Sequence, residues 1–158
     1  MAYRIISQIH TLLIKNKQTI AVAESSTGGL VSNLLTQASG SSRYFLLGIV
    51  AYSNQAKIKI LEIPSSLIAK KGAVSYEIAK RMAQSVRLLA KADYGIGITG
   101  IAGPSGGTKT KPVGTVFIAV NAKDKKICKK FLFKGARLTV KRKTALKALE
   151  LLRSIIYK

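Results

Sequence analysis

Three consecutive hydroxyl side chains, Ser25, Ser26 and Thr27, stand directly before two glycines. Gly28 and Gly29 would let a ligand approach the backbone closely, and the free amides at a helix start attract anions and developing oxyanions. A serine in this position is a candidate nucleophile. The same residues also fit an ordinary helix start, because Ser and Thr are preferred N-caps. The spacing is not G-x-S-x-G, so a nucleophile elbow of that kind is not supported.

A serine nucleophile needs a base, and few side chains in this sequence qualify. His10, the only histidine, lies at the edge of an apolar helix face, and Glu24 adjoins Ser25 in an extended segment that directs its side chain to the other face. The segment from Tyr52 to Lys57 is the better candidate, because burial can lower the pKa of a lysine from ~10.4 toward ~7–8. The plainer alternative is that Tyr52 only packs and that Lys57 is a solvated helix residue.

A glycine-rich loop runs from Gly100 to Pro112. Its stretch from Gly103 to Thr110 approaches the spacing of a P-loop, but Thr108 stands where the second glycine belongs, and Pro112 leads into a strand instead of a helix. We therefore reject a nucleoside triphosphatase. A nest of backbone N–H groups that holds a single phosphate stays open, as does an ordinary mobile loop.

The sequence has one cysteine, Cys128, one histidine and six acidic residues. A zinc site of Cys and His needs three or four such ligands, and a two-metal site would have to draw on widely scattered carboxylates. No intrachain disulfide can form, which fits a reducing compartment. We expect neither a metal nor another cofactor.

The net charge is +21, from 27 Lys and Arg against 6 Asp and Glu. Residues 123–158 carry 13 of the basic residues but few aromatics, so a solvated lysine-rich surface is favoured over a specific nucleic-acid site.

The longest nearly apolar run, residues 45–52, is far shorter than the ~20 residues of a spanning helix. The N-terminus lacks the features of a signal peptide. We expect a soluble cytoplasmic protein without a membrane partner.

Hydrophobic spacing predicts the elements that must position these residues. Strands are predicted at 19–24, 45–52, 94–99, 113–120 and 127–133. Helices are predicted at 3–16, from residue 30 to a closure at Gly40, and at 54–61, 64–72, 75–90 and 137–157. The alternation indicates an α/β sandwich with a mostly parallel sheet, and the short turn at 121–126 makes the sheet mixed. The length fits a single domain, residues 1–158.

Five segments carry a family resemblance: Ala23–Gly29, Tyr52–Lys57, Gly72–Ser75, Thr99–Pro104 and Lys111–Val116. In these segments the chain resembles the CinA C-terminal domain family, the nicotinamide-nucleotide amidohydrolases. The resemblance implies a three-layer α/β/α fold with a mixed sheet. It also implies hydrolysis of nicotinamide mononucleotide to nicotinate mononucleotide and ammonia, a step of pyridine nucleotide salvage, without a metal.

The resemblance also implies roles for particular residues. The family's nucleophile corresponds to Ser25, with Tyr52 and Lys57 beside it. Lys57 would take the serine proton, and Tyr52 would assist the transfer or orient the amide. Backbone groups near Gly28 and Gly29 would stabilise the oxyanion. The other expected substrate contacts, some of them to the phosphate, are Thr27, Thr99, Gly100, Ala102, Gly103 and Arg137.

The chain departs from the family pattern at two places. Ser26 stands where many members have Cys, and Gly135-Ala136-Arg137 replaces a Gly-Asp-Arg-like pattern, so the acid that would hold Arg137 is missing. We expect the stand-alone form, without the larger N-terminal domain of full-length CinA proteins and its pyrophosphatase activity. Two alternatives stay open, a non-catalytic nucleotide-binding or regulatory module and, less favoured, a basic nucleic-acid-binding protein. A homo-oligomer stays open as well.

Overall fold

The computed structural model describes residues 2–156. Its strands are β1 (Ile20–Glu24), β2 (Phe45–Val50), β3 (Tyr94–Gly100), β4 (Thr115–Ala122) and β5 (Lys126–Leu132). Its α-helices are α1 (Ala2–Asn16), α2 (Leu30–Thr36), α3 (Asn54–Lys59), α4 (Ser65–Lys71), α5 (Tyr76–Ala90) and α6 (Arg137–Ile156). Tyr157, the predicted end of the last helix, and the two ends of the predicted 1–158 domain lie outside the described residues.

The five strands form one sheet in the order β2-β1-β3-β4-β5. β1 pairs in parallel with β2 and β3, whereas β4 is antiparallel to both β3 and β5. Among the described strands, four therefore run in one direction and β4 runs in the other. The predicted mixed, mostly parallel sheet is confirmed. A three-residue connection is too short for a crossover, which is why β4 and β5 form a hairpin.

Helices cover both faces of the sheet. α1, α2 and α6 pack on one face, where their apolar side chains are buried against Ile20, Ile96 and Ile118. α3, α4 and α5 pack on the other face, where Ile78 and Met82 of α5 join a second apolar cluster. The predicted three-layer α/β/α architecture is confirmed.

β3 alternates glycine with isoleucine, and the two faces of the strand pack differently. Ile96 points into the cluster beneath α1 and α6. Gly95 and Gly97 face α5: a Cβ atom would lie 2.1 Å from the Ala83 carbonyl oxygen at the first position and 2.3 Å from the Ala79 carbonyl oxygen at the second. Only glycine permits the helix backbone to lie this close to the strand.

Two strand boundaries differ from the prediction. β2 ends at Val50 instead of residue 52, because the carbonyl groups of Ala51 and Tyr52 turn out of the sheet toward a lysine amine. β4 begins at Thr115 instead of residue 113, because the Thr115 amide donates to the Pro112 carbonyl (3.0 Å) in a turn.

α2 is shorter than predicted. It ends at Thr36, and Gly40 (φ 84°) is instead the N-cap of a 3-10 turn at Ser41–Arg43. The other predicted boundaries within the described residues lie within two residues of the observed ones. No helix between residues 2 and 156 is long and apolar enough to cross a membrane.

Candidate active site

The candidate active site lies at the carboxyl edge of the three parallel strands. β1 and β3 are neighbours, but the chain after β1 leads to β2 on one side and the chain after β3 leads to β4 on the other. Open α/β sheets bind ligands at such a switch point. A cavity of about 280 Å³ opens here. The predicted site residues that line it are Ser25, Tyr52, Lys57, Thr99, Gly100, Ala102, Gly103 and Arg137.

The buried side chain of Lys57 reaches the loop after β1 and is only 2% exposed. Its Nζ lies 3.1 Å from Ser25 Oγ, 2.9 Å from the Ala51 carbonyl oxygen and 3.2 Å from the Tyr52 carbonyl oxygen. A charged ammonium would donate to all three oxygens. A neutral amine would donate to the two carbonyls and accept the hydroxyl proton of Ser25. The geometry therefore suits a serine–lysine pair in which main-chain carbonyls orient the amine.

Burial lowers the pKa of Lys57, because the charged form loses its hydration inside the protein. The ion pairs of the described chain are Lys71–Glu77 and Lys147–Glu150, and neither involves this lysine. No carboxylate among residues 2–156 pairs with the buried amine to offset the desolvation. The neutral form of Lys57 is therefore populated at a lower pH than that of a solvated lysine.

The local structure of α3 places Lys57 at the cavity. Ser53 is the N-cap of this helix, and its Oγ accepts the Ala56 amide (3.0 Å). Lys57 lies one turn into the helix, since its amide donates to the Ser53 carbonyl (3.1 Å). Helical side chains lean back toward the N-terminus, so the amine returns to the carbonyls that precede the helix.

Glu24, the last residue of β1, is fully buried and accepts four hydrogen bonds. Its Oε2 accepts the amides of Gly29 and Val31 (both 3.1 Å), and its Oε1 accepts the amide and the hydroxyl of Ser32 (both 2.8 Å). The carboxylate thus closes the start of α2 and fixes the turn that carries Ser25. Sequence reasoning missed this role. The available signal was an acid six residues before the first residue of a helix.

Thr27, Gly28 and Gly29 do not line the cavity of Ser25. They line a neighbouring cavity of about 360 Å³ against α6. The Gly28 amide donates to the Ser25 carbonyl (3.1 Å), and the Gly29 amide donates to Glu24. Neither amide is free for an oxyanion on Ser25, so a backbone donor would have to come from another residue near these two glycines.

Ser26, unlike Gly28 and Gly29, lines the cavity of Ser25. The hydrogen bonds within residues 2–156 leave its amide without an acceptor. The amide of the residue after a nucleophile is a known oxyanion donor in serine hydrolases. Ser26 is therefore better placed than either glycine to stabilise negative charge next to Ser25.

The Tyr52 hydroxyl is bonded to Arg137, and the main-chain carbonyl of Tyr52 is the group that contacts Lys57. Arg137 Nη2 donates to the hydroxyl (2.8 Å), and Arg137 Nη1 donates to the Gly103 carbonyl (2.8 Å). Arg137, the first residue of α6, is thus held without an acidic partner. The Tyr52 hydroxyl is hydrogen-bonded to the guanidinium, and its hydrogen bonds within residues 2–156 do not include Ser25 or Lys57.

Thr99 and Gly100 shape the wall of the cavity. Thr99 Oγ1 donates to the Ala73 carbonyl (2.7 Å), which ties β3 to the segment before α5. A Cβ atom at Gly100 would lie 2.8 Å from Val116 Cγ2, so a larger residue would have to displace β4. Neither residue presents a free side-chain donor to a ligand.

Asn54, Ala73 and Val74 also line the cavity, and sequence reasoning had assigned them no role in the site. All three lie in segments that carry the family resemblance, which was the available signal. Spacing alone places Asn54 one residue after a helix N-cap and does not show that it borders a cavity.

Cys128 and His10 do not line this cavity. Burial raises the pKa of the Cys128 thiol to about 11, so the thiol stays protonated at neutral pH. His10 Nδ1 lies 3.4 Å from the Tyr44 hydroxyl. In the part of the chain that the structure describes, no three His, Cys, Asp or Glu side chains are grouped so as to hold a metal ion.

The fold and the site define an α/β/α domain with a small-molecule-sized cavity at its sheet switch point and a buried serine–lysine contact inside it. The model of the CinA C-terminal domain family matches residues 2–156, and the chain belongs to this family.

Known proteins agree with this assignment. A protein of Thermoanaerobacter sp. (strain X514), named as competence-damage inducible, is 49% identical over 142 residues, which are 90% of this chain and 34% of that protein. A CinA-like protein of Geobacter sulfurreducens is 45% identical over 85% of this chain and 33% of its own length. The chain thus spans about a third of the curated relatives it matches. The solved structure of the competence/damage inducible protein CihA from Agrobacterium tumefaciens superposes with a TM-score of 0.96 at 31% identity, and the match covers 99% of this chain and 96% of that one.

Proposed function

We propose that the protein hydrolyses the carboxamide of nicotinamide mononucleotide to give nicotinate mononucleotide and ammonia. The observation that carries this proposal is the 3.1 Å contact between Lys57 Nζ and Ser25 Oγ inside the cavity. A serine hydroxyl is a weak nucleophile until a base removes its proton. The buried amine offers that base within hydrogen-bond reach, and the family resemblance supplies the substrate.

In the first half of the reaction, Ser25 Oγ bonds to the carboxamide carbon while its proton passes to neutral Lys57. The carbonyl electron pair moves onto oxygen and gives a tetrahedral oxyanion, which the Ser26 amide is placed to stabilise. Lys57 then returns the proton to the leaving nitrogen. The C–N bond breaks, and ammonia leaves an acyl ester on Ser25.

Water completes the cycle. Lys57 takes a proton from a water molecule, and the water oxygen bonds to the ester carbon. The ester C–O bond then breaks, and the proton returns to Ser25 Oγ. The product is a carboxylate, and the released proton of the new acid goes to solvent.

The substrate phosphate would bind at Arg137. Two of the five guanidinium N–H donors are used by Tyr52 and Gly103, which leaves three for a phosphate. The cavity of about 280 Å³ lies near the lower limit of small-molecule sites, ~300 Å³, and so suits a mononucleotide better than a dinucleotide.

The direct test is ammonia release from nicotinamide mononucleotide by the purified protein. Lys57→Arg should lower the turnover at least ~100-fold, because arginine keeps the charge but stays protonated and accepts no proton. Lys59→Arg is the matched control, since Lys59 is an exposed lysine of the same helix.

Near-parental turnover of Lys57→Arg would show that position 57 acts only as a charge. An unmodified protein that binds the nucleotide but releases no ammonia would instead be the non-catalytic module of the same family.

A further inference from the structure

The geometry points to a role for Tyr52 that differs from the one implied by the family resemblance. We propose that Tyr52 is a positioning residue: its hydroxyl orients Arg137 toward the substrate phosphate, and it takes no part in proton transfer. The inference rests on the proposed function and concerns its selectivity for a phosphorylated amide.

The first observation is the placement of the phenol at the mouth of the cavity. The Tyr52 side chain is 58% exposed, whereas Lys57 is 2% exposed. The phenolic oxygen receives its hydrogen bond from Arg137 Nη2 at 2.8 Å. Proton transfer requires a group within about 2.6–3.2 Å of the reacting proton. The Lys57 amine already has that contact with Ser25, so the mechanism leaves no step for the phenol.

The second observation is that Arg137 is anchored at both terminal nitrogens. Nη2 donates to Tyr52 and Nη1 donates to the Gly103 carbonyl, both at 2.8 Å. Two anchors from different segments fix the plane of a long and otherwise flexible side chain. A pre-oriented guanidinium binds phosphate better, because less side-chain freedom is lost on binding.

The third observation is the chemistry of the anchors. A hydroxyl and a carbonyl are neutral acceptors, and the ion pairs of residues 2–156 do not include Arg137. The guanidinium charge is therefore not cancelled by a carboxylate and acts in full on an anion. Ala136 offers no carboxylate beside Arg137, and the hydrogen bonds of the guanidinium go to the Tyr52 hydroxyl and the Gly103 carbonyl.

The test compares two amides that differ only in the phosphate, nicotinamide mononucleotide and nicotinamide riboside. Tyr52→Phe removes the hydroxyl and keeps both the ring and the main-chain carbonyl that orients Lys57. We expect the KM for the mononucleotide to rise about tenfold, and the preference for it over the riboside in kcat/KM to fall by the same factor. The pH midpoint of kcat should stay at the parental value. Tyr76→Phe, in α5, is the matched control.

A double-mutant cycle identifies the route of the effect. If the hydroxyl acts through the arginine, Tyr52→Phe should have no further effect in an Arg137→Ala protein. Additive effects would overturn the proposal. An equal loss of kcat on both amides, or a shifted pH midpoint, would overturn it too, because the phenol would then act on the reacting atoms.

A binding experiment separates this inference from the proposed reaction. Calorimetric titration with nicotinate mononucleotide needs no turnover. Weaker binding to Tyr52→Phe than to the parent would support the inference even if the unmodified protein released no ammonia. Equal binding to both proteins would overturn it whatever the activity.

Discussion

Lys57 is held by two main-chain carbonyls and one hydroxyl in an otherwise buried setting. Its pKa is lowered by burial, so above the folded-state pKa and up to ~10.4 the unfolded chain binds more protons at this position than the folded chain does. The contribution of Lys57 to the free energy of unfolding must then rise as pH rises through that window and fall as pH falls through it.

We therefore expect the stability of the parent relative to Lys57→Met to increase with pH. The measurement is urea unfolding of both proteins at several pH values between about 7 and about 10. Lys59→Met, which removes an exposed lysine, should show a much weaker dependence. A difference between parent and Lys57→Met that does not change with pH would mean that the amine titrates as it does in water.

The hydroxyls of Ser25 and Ser26 should differ in their importance for catalysis. Ser25 Oγ contacts the Lys57 amine, whereas the expected contribution of Ser26 is its main-chain amide, which substitution by alanine preserves. Ser25→Ala should abolish ammonia release and leave the circular dichroism spectrum unchanged, and Ser26→Ala should retain most of the turnover. Loss of activity in Ser26→Ala alone would place the nucleophile one residue later.

At this scale the sequence predicts a residue's chemical type better than its contacts. The proximity of Ser25 and Lys57 followed from two strand ends that share one sheet edge. The contact between Tyr52 and Arg137 could not be predicted, because it depends on where the start of α6 lies relative to the loop after β2. Likewise, spacing could not show that Glu24 takes the Gly29 amide, since this depends on the path of the turn.

At the scale of elements, α5 packs closely on β3, and Gly97 makes this possible. A methyl group there would lie 2.3 Å from the Ala79 carbonyl oxygen and 2.4 Å from the Ala83 amide nitrogen. Both clashes are with helix backbone, which cannot rotate away. Gly97→Ala should lower the free energy of unfolding by about 2–4 kcal/mol, measured by denaturant titration.

Gly40→Ala is the control for this prediction. Gly40 has a left-handed backbone conformation (φ 84°), but a Cβ atom there would meet nothing within 4 Å. Its substitution should lower the stability by only ~1–2 kcal/mol, the penalty of a left-handed residue. If Gly97→Ala were no more harmful than Gly40→Ala, α5 would be able to move off the sheet at little cost.

The elements themselves were largely predictable, because hydrophobic periodicity and N-caps such as Ser75 mark their limits. Where an observed boundary differs from the predicted one, the difference comes from contacts with other parts of the chain. β2 ends at Val50, and the carbonyls of the next two residues accept hydrogen bonds from Lys57. β4 begins late because the Pro112 carbonyl accepts the Thr115 amide in a turn. None of these hydrogen bonds can be predicted from the alternation of apolar and polar residues within the strand.

The whole molecule carries a net charge of +21. Such a protein binds nucleic acid at low salt by releasing counterions, and this binding weakens steeply as salt increases. We expect weak, sequence-indifferent binding that is essentially gone at ~0.15 M salt. Fluorescence anisotropy with labelled duplexes of unrelated sequence, at low and at physiological salt, measures it. Nanomolar and sequence-selective binding at the higher salt would favour a nucleic-acid function instead.

The residues that line the active-site cavity are far apart in the sequence, from Ser25 to Arg137. Ser25 and Lys57 precede β3 in the chain, β3 must still pair with β1, and Arg137 is the first residue of α6, the last helix of the described residues. Domains fold largely as units once their sequence is available. A chain that stops before α6 therefore holds the serine and the lysine but lacks Arg137, the proposed phosphate contact, and one of the three helices that cover one face of the sheet. We therefore expect a protein truncated before α6 to release no ammonia from nicotinamide mononucleotide.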